Sequence, residues 1–528
     1  MRTRTLIACA ALGALALPTA ASAEPKAFPL GVTAGDVTAT SAMLWTRPAQ
    51  AGPLVLRLSR VSRLTGCSAQ SRPGGPRVFR RSLTASASTD DTVRTTVRGL
   101  HPGTRYFYRF CQGSASRLGR FVTAPRRSAD VPIRFGLTGD ADGTIDPATN
   151  APAYNRFETY REMAGERNDF NVNLGDVMYS DSAVAGVPPA LSLQDKWAKY
   201  RLNFSYPNLR RLRGTAALYS QWDDHEFIDD FSVQQHGQAL FNAGAKAFLD
   251  YNPARFRPGV GLFRTFRWGR NVELFFLDER AFRSANASTN PACRNSLLGG
   301  SDPLPTLPQR LRSGIASALR LPGLGQPVSP SCLAVLNDPN RTIIGKPQLR
   351  AFERAVTRST ATWKIIVNEL PIMQLYFQPY DRWEGFAADR LEVLRFLQRR
   401  SRNVVFLTTD FHANLVGPVR LSTFPDEGPS IDTGYTDIVT GPVALKTFAV
   451  DTDLKSGIPG ASEVVRALFK APRPTGLGLS CAALNVYSYM QVRVTSQRIT
   501  VKLKDEHGNP VRETPTGPAC ATITIPRR

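Results

Sequence analysis

Four β-forming runs in this chain end in carboxylates, and that placement constrains the fold more than any other feature. Residues 133–137 lead through Thr138 and Gly139 to Asp140 and Asp142. Residues 170–174 lead to Asp176, with Tyr179 and Asp181 just beyond. Residues 217–220 lead to Asp223, Asp224, His225 and Glu226, and residues 404–408 to Asp410 and His412. In an open α/β sheet the carboxyl ends of the strands share one edge, where ligands bind. Carboxylates gathered at that edge repel one another unless cations neutralise them. A single Asp after a strand is commonly a helix N-cap or turn residue, as Asp142 before Gly143 could be. Four such clusters in register point to a metal centre.

The runs between these clusters give the architecture. Strand patterns at 133–137, 170–174, 217–220, 272–277, 363–367, 404–408 and 437–439 alternate with helical patterns at 153–163, 238–250, 347–357 and 389–398. This alternation is the signature of an α/β fold. Residues 24–128 differ: short runs at 30–38, 42–47, 54–58, 92–97 and 105–110 are broken by Gly, Pro and Ser. In the last of them aromatic and polar residues alternate, as in a half-buried strand. An all-β sandwich of immunoglobulin or fibronectin type is expected there. The α/β part then occupies 129–528, with an insertion at 284–342 rich in Pro, Gly, Ser and Asn and holding one short helix-like stretch. Loops of that length inside a domain are commonly functional, so the insertion is expected either to cover the site or to run over a distant surface.

The first 23 residues read as a secretory signal peptide. Arg2 and Arg4 precede an apolar run from Leu6 to Leu17, and Ala21-Ser22-Ala23 forms a small-residue cleavage site. No later apolar stretch is long enough to span a bilayer. Export to the periplasm, cell surface or medium makes the cysteines informative. Once Cys9 is removed with the leader, six remain and fall into sequence-local couples: Cys67–Cys111, Cys293–Cys332 and Cys481–Cys520. The net charge of +23 suits an anionic partner, either a small phosphoester or an anionic polymer. No basic block with interleaved aromatics marks a nucleic-acid module.

Four motifs resemble those of the PhoD-like alkaline phosphatases, a branch of the calcineurin-like metallophosphoesterase superfamily. Leu174-Gly175-Asp176-Val177-Met178-Tyr179-Ser180-Asp181 is similar to LGDxxYxD, and Trp222-Asp223-Asp224-His225-Glu226 to WDDHE. Leu277-Asp278-Glu279-Arg280-Ala281-Phe282-Arg283 resembles LDxRxYR, and Thr409-Asp410-Phe411-His412 the terminal GDxH. The resemblance implies a metallophosphoesterase-type sandwich of mixed sheets with flanking helices. It implies that Asp140 or Asp142 supplies the first metal carboxylate, that Asp176 bridges two metals, and that Tyr179 binds one as phenolate. Asp224, Asp410 and His412 take further positions, and Asn368 stands where the superfamily often has a metal-binding His. His225 becomes the proton donor to the leaving group. Members of the family often carry a Cys after the first catalytic strand, where this chain has Asp140. The mostly hard oxygen ligands favour Fe³⁺, Ca²⁺ or Mn²⁺ over an all-zinc site, and the resemblance points to Fe³⁺ with Ca²⁺ in a binuclear or multinuclear centre.

The function expected is hydrolysis of phosphate mono- or diesters by a metal-activated hydroxide, with His225 as acid. Arg280 or Arg283 either clamps a phosphate oxygen or forms an ion pair with Asp278. A phosphodiesterase or phospholipase acting on wall or membrane polymers is the second expectation. An inactive cell-surface binder of anionic polymers is the third.

Overall fold

Alternation along the central strands sorts their side chains onto two faces. Val272, Leu274, Phe276, Ile365, Val367, Val405 and Leu407 share a core with Phe135, Leu137, Phe170, Val172 and Leu174. Phe275, Ile366 and Phe406 belong to a second core, and Leu218 to a third. The first core is thus the layer between two sheets, and the others lie on their outer faces under helices. Helix Lys346–Arg358 places Leu349, Phe352 and Val356 on one stripe of the second core. Helix Leu193–Ser205, capped by the Ser192 side chain accepting from the Asp195 amide, contributes Trp197, Tyr200 and Phe204 to the third.

The computed structural model describes residues 27–61, 67, 79–423 and 431–528, so the expected leader at 1–23 lies outside them. Among the described residues one sheet has nine strands. Its centre is Ile133–Thr138, Phe170–Leu174 and Ala217–Gln221, all parallel. The facing sheet has seven, with Val272–Phe276, Trp363–Val367, Val404–Thr408 and Asp432–Val439 parallel at its centre. These strands are buried along almost their whole length, as expected of parallel sheets covered on both faces. The polar positions in Phe170–Leu174 are matched: the Asn173 side chain accepts from the Tyr160 hydroxyl at 2.9 Å and Asn171 from Asn168 at 2.7 Å.

The described residues between 27 and 122 are almost all strand and turn, and their strands divide between two sheets. Phe79–Ala85, Gly52–Ser59, Arg105–Gln112 and Ala115–Val122 make a separate four-stranded sheet. Val32–Gly35, Ser41–Thr46 and Val93–Arg98 instead extend the nine-stranded sheet, through a parallel pairing of Ala34 with Ala217. Their apolar residues merge with the inter-sheet core. The architecture shown is therefore mixed α/β, with the amino-terminal strands built into the main sheet. Such a pairing between segments far apart in sequence leaves no local signal.

The helix expected at 153–163 is the shorter Glu158–Gly165. Phe157 has a left-handed backbone (φ 61°) that keeps the helix from starting earlier, and the preceding Ala151–Pro152 pairs with Ile145–Asp146. All three disulfides pair as expected. The insertion is more ordered than its composition suggests, with helices Gln309–Leu319 and Pro330–Leu336. Leu304, Leu307, Ile315 and Leu324 anchor it in the second core. Arg312, 1% exposed, makes a two-pronged pair with Asp302 at 2.8 and 3.0 Å. Removing one partner of a buried pair costs about 3–5 kcal/mol. Arg312→Ala should therefore open residues 284–342 to limited proteolysis; an unchanged cleavage pattern would show that the disulfide and apolar contacts suffice. No helix among the described residues is long and apolar enough to cross a membrane.

Candidate metal centre

At three of the four acidic strand ends the chain turns through left-handed backbone. Asp140 (φ 63°), Asp176 (49°), Asp410 (62°) and His412 (53°) all adopt it. Asp and His tolerate this region better than most residues, and its cost, about 1–3 kcal/mol, is typically met at functional sites. The sharp turn throws each side chain over the end of its strand. Gly175 (φ 75°) supports the same geometry, since a Cβ there would lie 2.8 Å from the Cβ of Asp223. Glu226 fastens two of the turns together, accepting from the Val177 amide at 2.7 Å and the Asp223 amide at 2.8 Å. A cross-sheet bond from the Thr409 hydroxyl to the Leu174 carbonyl, 2.7 Å, brings the fourth strand end to the second.

The result is a chain of ligand groups whose donor atoms lie within 4.8 Å of one another. Among the described residues these are Asp140, Asp176 and His412; Asp176, Asp224 and His225; and Asp223, Asp224 and Asp410, with Asp229 and Asp230 also near Asp224. Asp176 and Asp224 each belong to more than one group. Burial pushes the carboxyls of Asp140, Asp176 and Asp223 well above the usual range, and neighbouring carboxylates add to the effect. For Asp410 the same causes reach about 8. Cys481, Glu513 and Cys520 also converge, but there the cysteines are disulfide-bonded.

The donor set fits hard cations. Oδ2 of Asp140 and Oδ1 of Asn368 are buried without a hydrogen-bond partner. A Cβ at Gly441 would sit 2.5 Å from that Asp140 oxygen, so the glycine keeps its approach clear. Asn368 directs its Nδ2 to the Leu370 carbonyl, leaving the oxygen as the free end. Such orphaned oxygens beside carboxylates are what Ca²⁺, Mn²⁺ or ferric iron requires. The Tyr179 hydroxyl donates to Asp176 at 2.8 Å. Burial and the Asp176 charge hold its phenol well above its usual pKa, so a phenolate there needs a cation.

Of the two candidates after the first strand, Asp140 reaches the groups above and Asp142 does not. The Asp142 carboxylate instead accepts from the Thr144 amide and the Ser182 hydroxyl, which closes the turn. Arg280 also differs from expectation. Its guanidinium pairs not with Asp278 but with Asp223 and, at 2.9 Å, Asp381, and it is fully buried. It braces Asp223, and its Nη2 also comes within 3.6 Å of Asp224. Asp278 serves as a hub, accepting from Trp222 at 2.9 Å and from the Leu262 amide at 2.8 Å.

His225 stands at the edge of the cluster, its ring 4.1 Å from that of Tyr179. Its Nδ1 is 2.6 Å from Asp181, while Nε2 lies 3.6 Å from the exposed Asp229. Burial alone would push the imidazole down. The charges of Asp176 and Asp224 and the bond to Asp181 more than offset it, and its pKa stands well above the ordinary value. Sequence spacing gives Asp181 no role; in the fold it orients the imidazole. Asp381 and Arg382 lie outside every motif of the sequence. Their only signal is the run Tyr380-Asp381-Arg382-Trp383-Glu384-Gly385-Phe386, charges between aromatics.

The PhoD-like phosphatase family model matches residues 148–503, and that for the PhoD-like phosphatase N-terminal domain matches 14–125. Alkaline phosphatase D of Bacillus subtilis (strain 168) is 25% identical over 452 residues, 76% of this chain and 67% of that protein. Purple acid phosphatase 1 of Ipomoea batatas is 35% identical over 86 residues, 16% of this chain and 17% of that protein. A solved structure of PhoD superposes with a TM-score of 0.69 and 20% identity, covering 96% of this chain and 90% of that one. Purple acid phosphatase PPD1 from yellow lupin seeds gives 0.54 and 10%, covering 94% and 74%.

Proposed function

This chain belongs to the PhoD-like phosphatase family and is a metal-dependent phosphoesterase, and from that premise we propose how its residues divide the work. Asp140, Asp176, Tyr179, Asp224, Asn368, Asp410 and His412 hold a binuclear or larger centre, with Fe³⁺ and Ca²⁺ as its metals. The observation that supports this most is the buried, partnerless oxygen of Asp140 within the linked ligand groups, with a second such oxygen on Asn368 at the end of the neighbouring strand Trp363–Val367. Such a centre, when bound, supplies charge neutralisation for the phosphate and an acidified water as nucleophile. The chain's own part is to fix geometry and move a proton. Asp181 holds Nδ1 of His225, leaving Nε2 to donate to the departing oxygen. Arg280 keeps Asp223 in place against its neighbours' repulsion.

The leader pattern of the first 23 residues and the three disulfides support an exported enzyme. We divide the chain into two functional parts, 24–128 and 129–528; the separate family matches at 14–125 and 148–503 support the division, and the parts share a sheet.

The test is hydrolysis of p-nitrophenyl phosphate and bis(p-nitrophenyl) phosphate by the purified, metal-loaded chain. Turnover of at least one is expected; no turnover of either would contradict the assignment. Tyr179 tests the metal. A ferric phenolate absorbs visible light by charge transfer, so the protein should be coloured and Tyr179→Phe should bleach it. A colourless wild type with iron bound would remove Tyr179 from the ligand set.

A further inference from the structure

A groove of about 330 Å³ opens from the Asp410 and His412 end of the centre and runs out beneath the insertion. That volume is at the lower end for a ligand pocket. Its near wall is a run of packed rings: Phe411 stacks on Phe448 at 4.6 Å, and Phe448 meets Phe377 edge-on at 5.4 Å. Its far wall is leucine, with Leu298, Leu321 and Leu324 all supplied by the insertion.

Arg382 stands where rings meet carboxylates. Its guanidinium lies 4.9 Å over the Phe411 ring, one of its nitrogens donates to the Phe377 carbonyl, and its Nε is buried without a partner. A buried guanidinium with a spare donor suits one more anionic oxygen. The groove thus has a cationic donor and candidate metal-ligand groups at one end and two apolar walls along its length, with Gln378, Asp451, Thr452, Lys455 and Ser456 on the rest of its lining.

Resting on the phosphoesterase reading, we propose that this groove is the subsite for an apolar ester group, so that the preferred substrates are phosphoesters carrying a linear alkyl chain. Arg382 holds a phosphate oxygen while the chain lies between the phenylalanine rings and the insertion's leucines. The insertion is then a specificity wall and not a remote excursion.

The test has a binding arm and a turnover arm, both on the full metal-loaded chain. Binding of methyl-, butyl- and octylphosphonate is measured by calorimetry. Each methylene removed from water contributes about 0.8 kcal/mol, so burial of only about two of the seven added methylenes already gives a rise of about tenfold from methyl to octyl, the least expected. Leu298→Glu and Leu321→Glu should abolish that rise, with circular dichroism reporting that each variant is folded. Arg382→Gln should weaken all three ligands by a similar factor. In the turnover arm, kcat/KM for alkyl phosphates and alkyl p-nitrophenyl phosphates of one, four and eight carbons should climb in the same order. Chain-length-independent binding in the wild type, or a rise retained in both leucine variants, would overturn the groove. Failure of all hydrolysis with the binding rise intact would instead uphold the groove and overturn the phosphoesterase reading.

Discussion

Asp176→Ala is expected to lose bound metal and hydrolysis together, with activity falling to background. Asp176 is fully buried and belongs both to the group with Asp140 and His412 and to the group with Asp224 and His225. It also accepts from the Tyr179 hydroxyl and the His225 amide. One substitution therefore removes a shared ligand and frees two of its neighbours. Asp142→Asn is the matched control, because that carboxylate closes a turn and lies outside the ligand groups. Metal analysis by mass spectrometry beside the hydrolysis rate checks the expectation. Full metal content with full activity in Asp176→Ala would place the centre elsewhere.

His225→Ala is expected to keep its metal and lose about 10²–10⁴ in rate, the usual range for a general acid. The loss should depend on the leaving group. A nitrophenolate departs without a proton and should suffer least, whereas an alkoxide needs one and should suffer most. Asp181→Asn should reproduce the same pattern more weakly, since it disturbs the 2.6 Å contact that orients the ring and not the ring itself. An equal loss for nitrophenyl and alkyl esters would assign His225 to binding alone.

Much of this centre is legible in the amino-acid sequence. Four acidic clusters after four apolar runs mark the candidate ligands, because a strand's end is a local property and its hydrophobic pattern marks it. The runs 170–174, 363–367 and 404–408 coincide with strands Phe170–Leu174, Trp363–Val367 and Val404–Thr408. Direction is less legible. Whether Asp140 or Asp142 faces the cluster depends on a left-handed turn at Asp140 and on two donors to Asp142, and neither is written in spacing. Arg280 is one residue from Glu279 and two from Asp278, yet its partners Asp223 and Asp381 are 57 and 101 positions away. Long-range pairing hides the extended sheet for the same reason, since nothing near Ala34 announces Ala217. Pro and Gly in the insertion suggest looseness, while its buried leucines and the Arg312–Asp302 pair, visible only in three dimensions, hold it against the second core.

We propose that linked, buried carboxylates at the strand ends form a metal centre that hydrolyses phosphoesters. Its most direct test is a metal titration of the chelator-stripped chain, with the rate on the better nitrophenyl ester recorded at each addition. Activity should be absent at the start, rise with bound metal and level off at about two or more ions per chain, as a shared-ligand centre requires. Full hydrolysis by the stripped chain, before any ion is added, would contradict it.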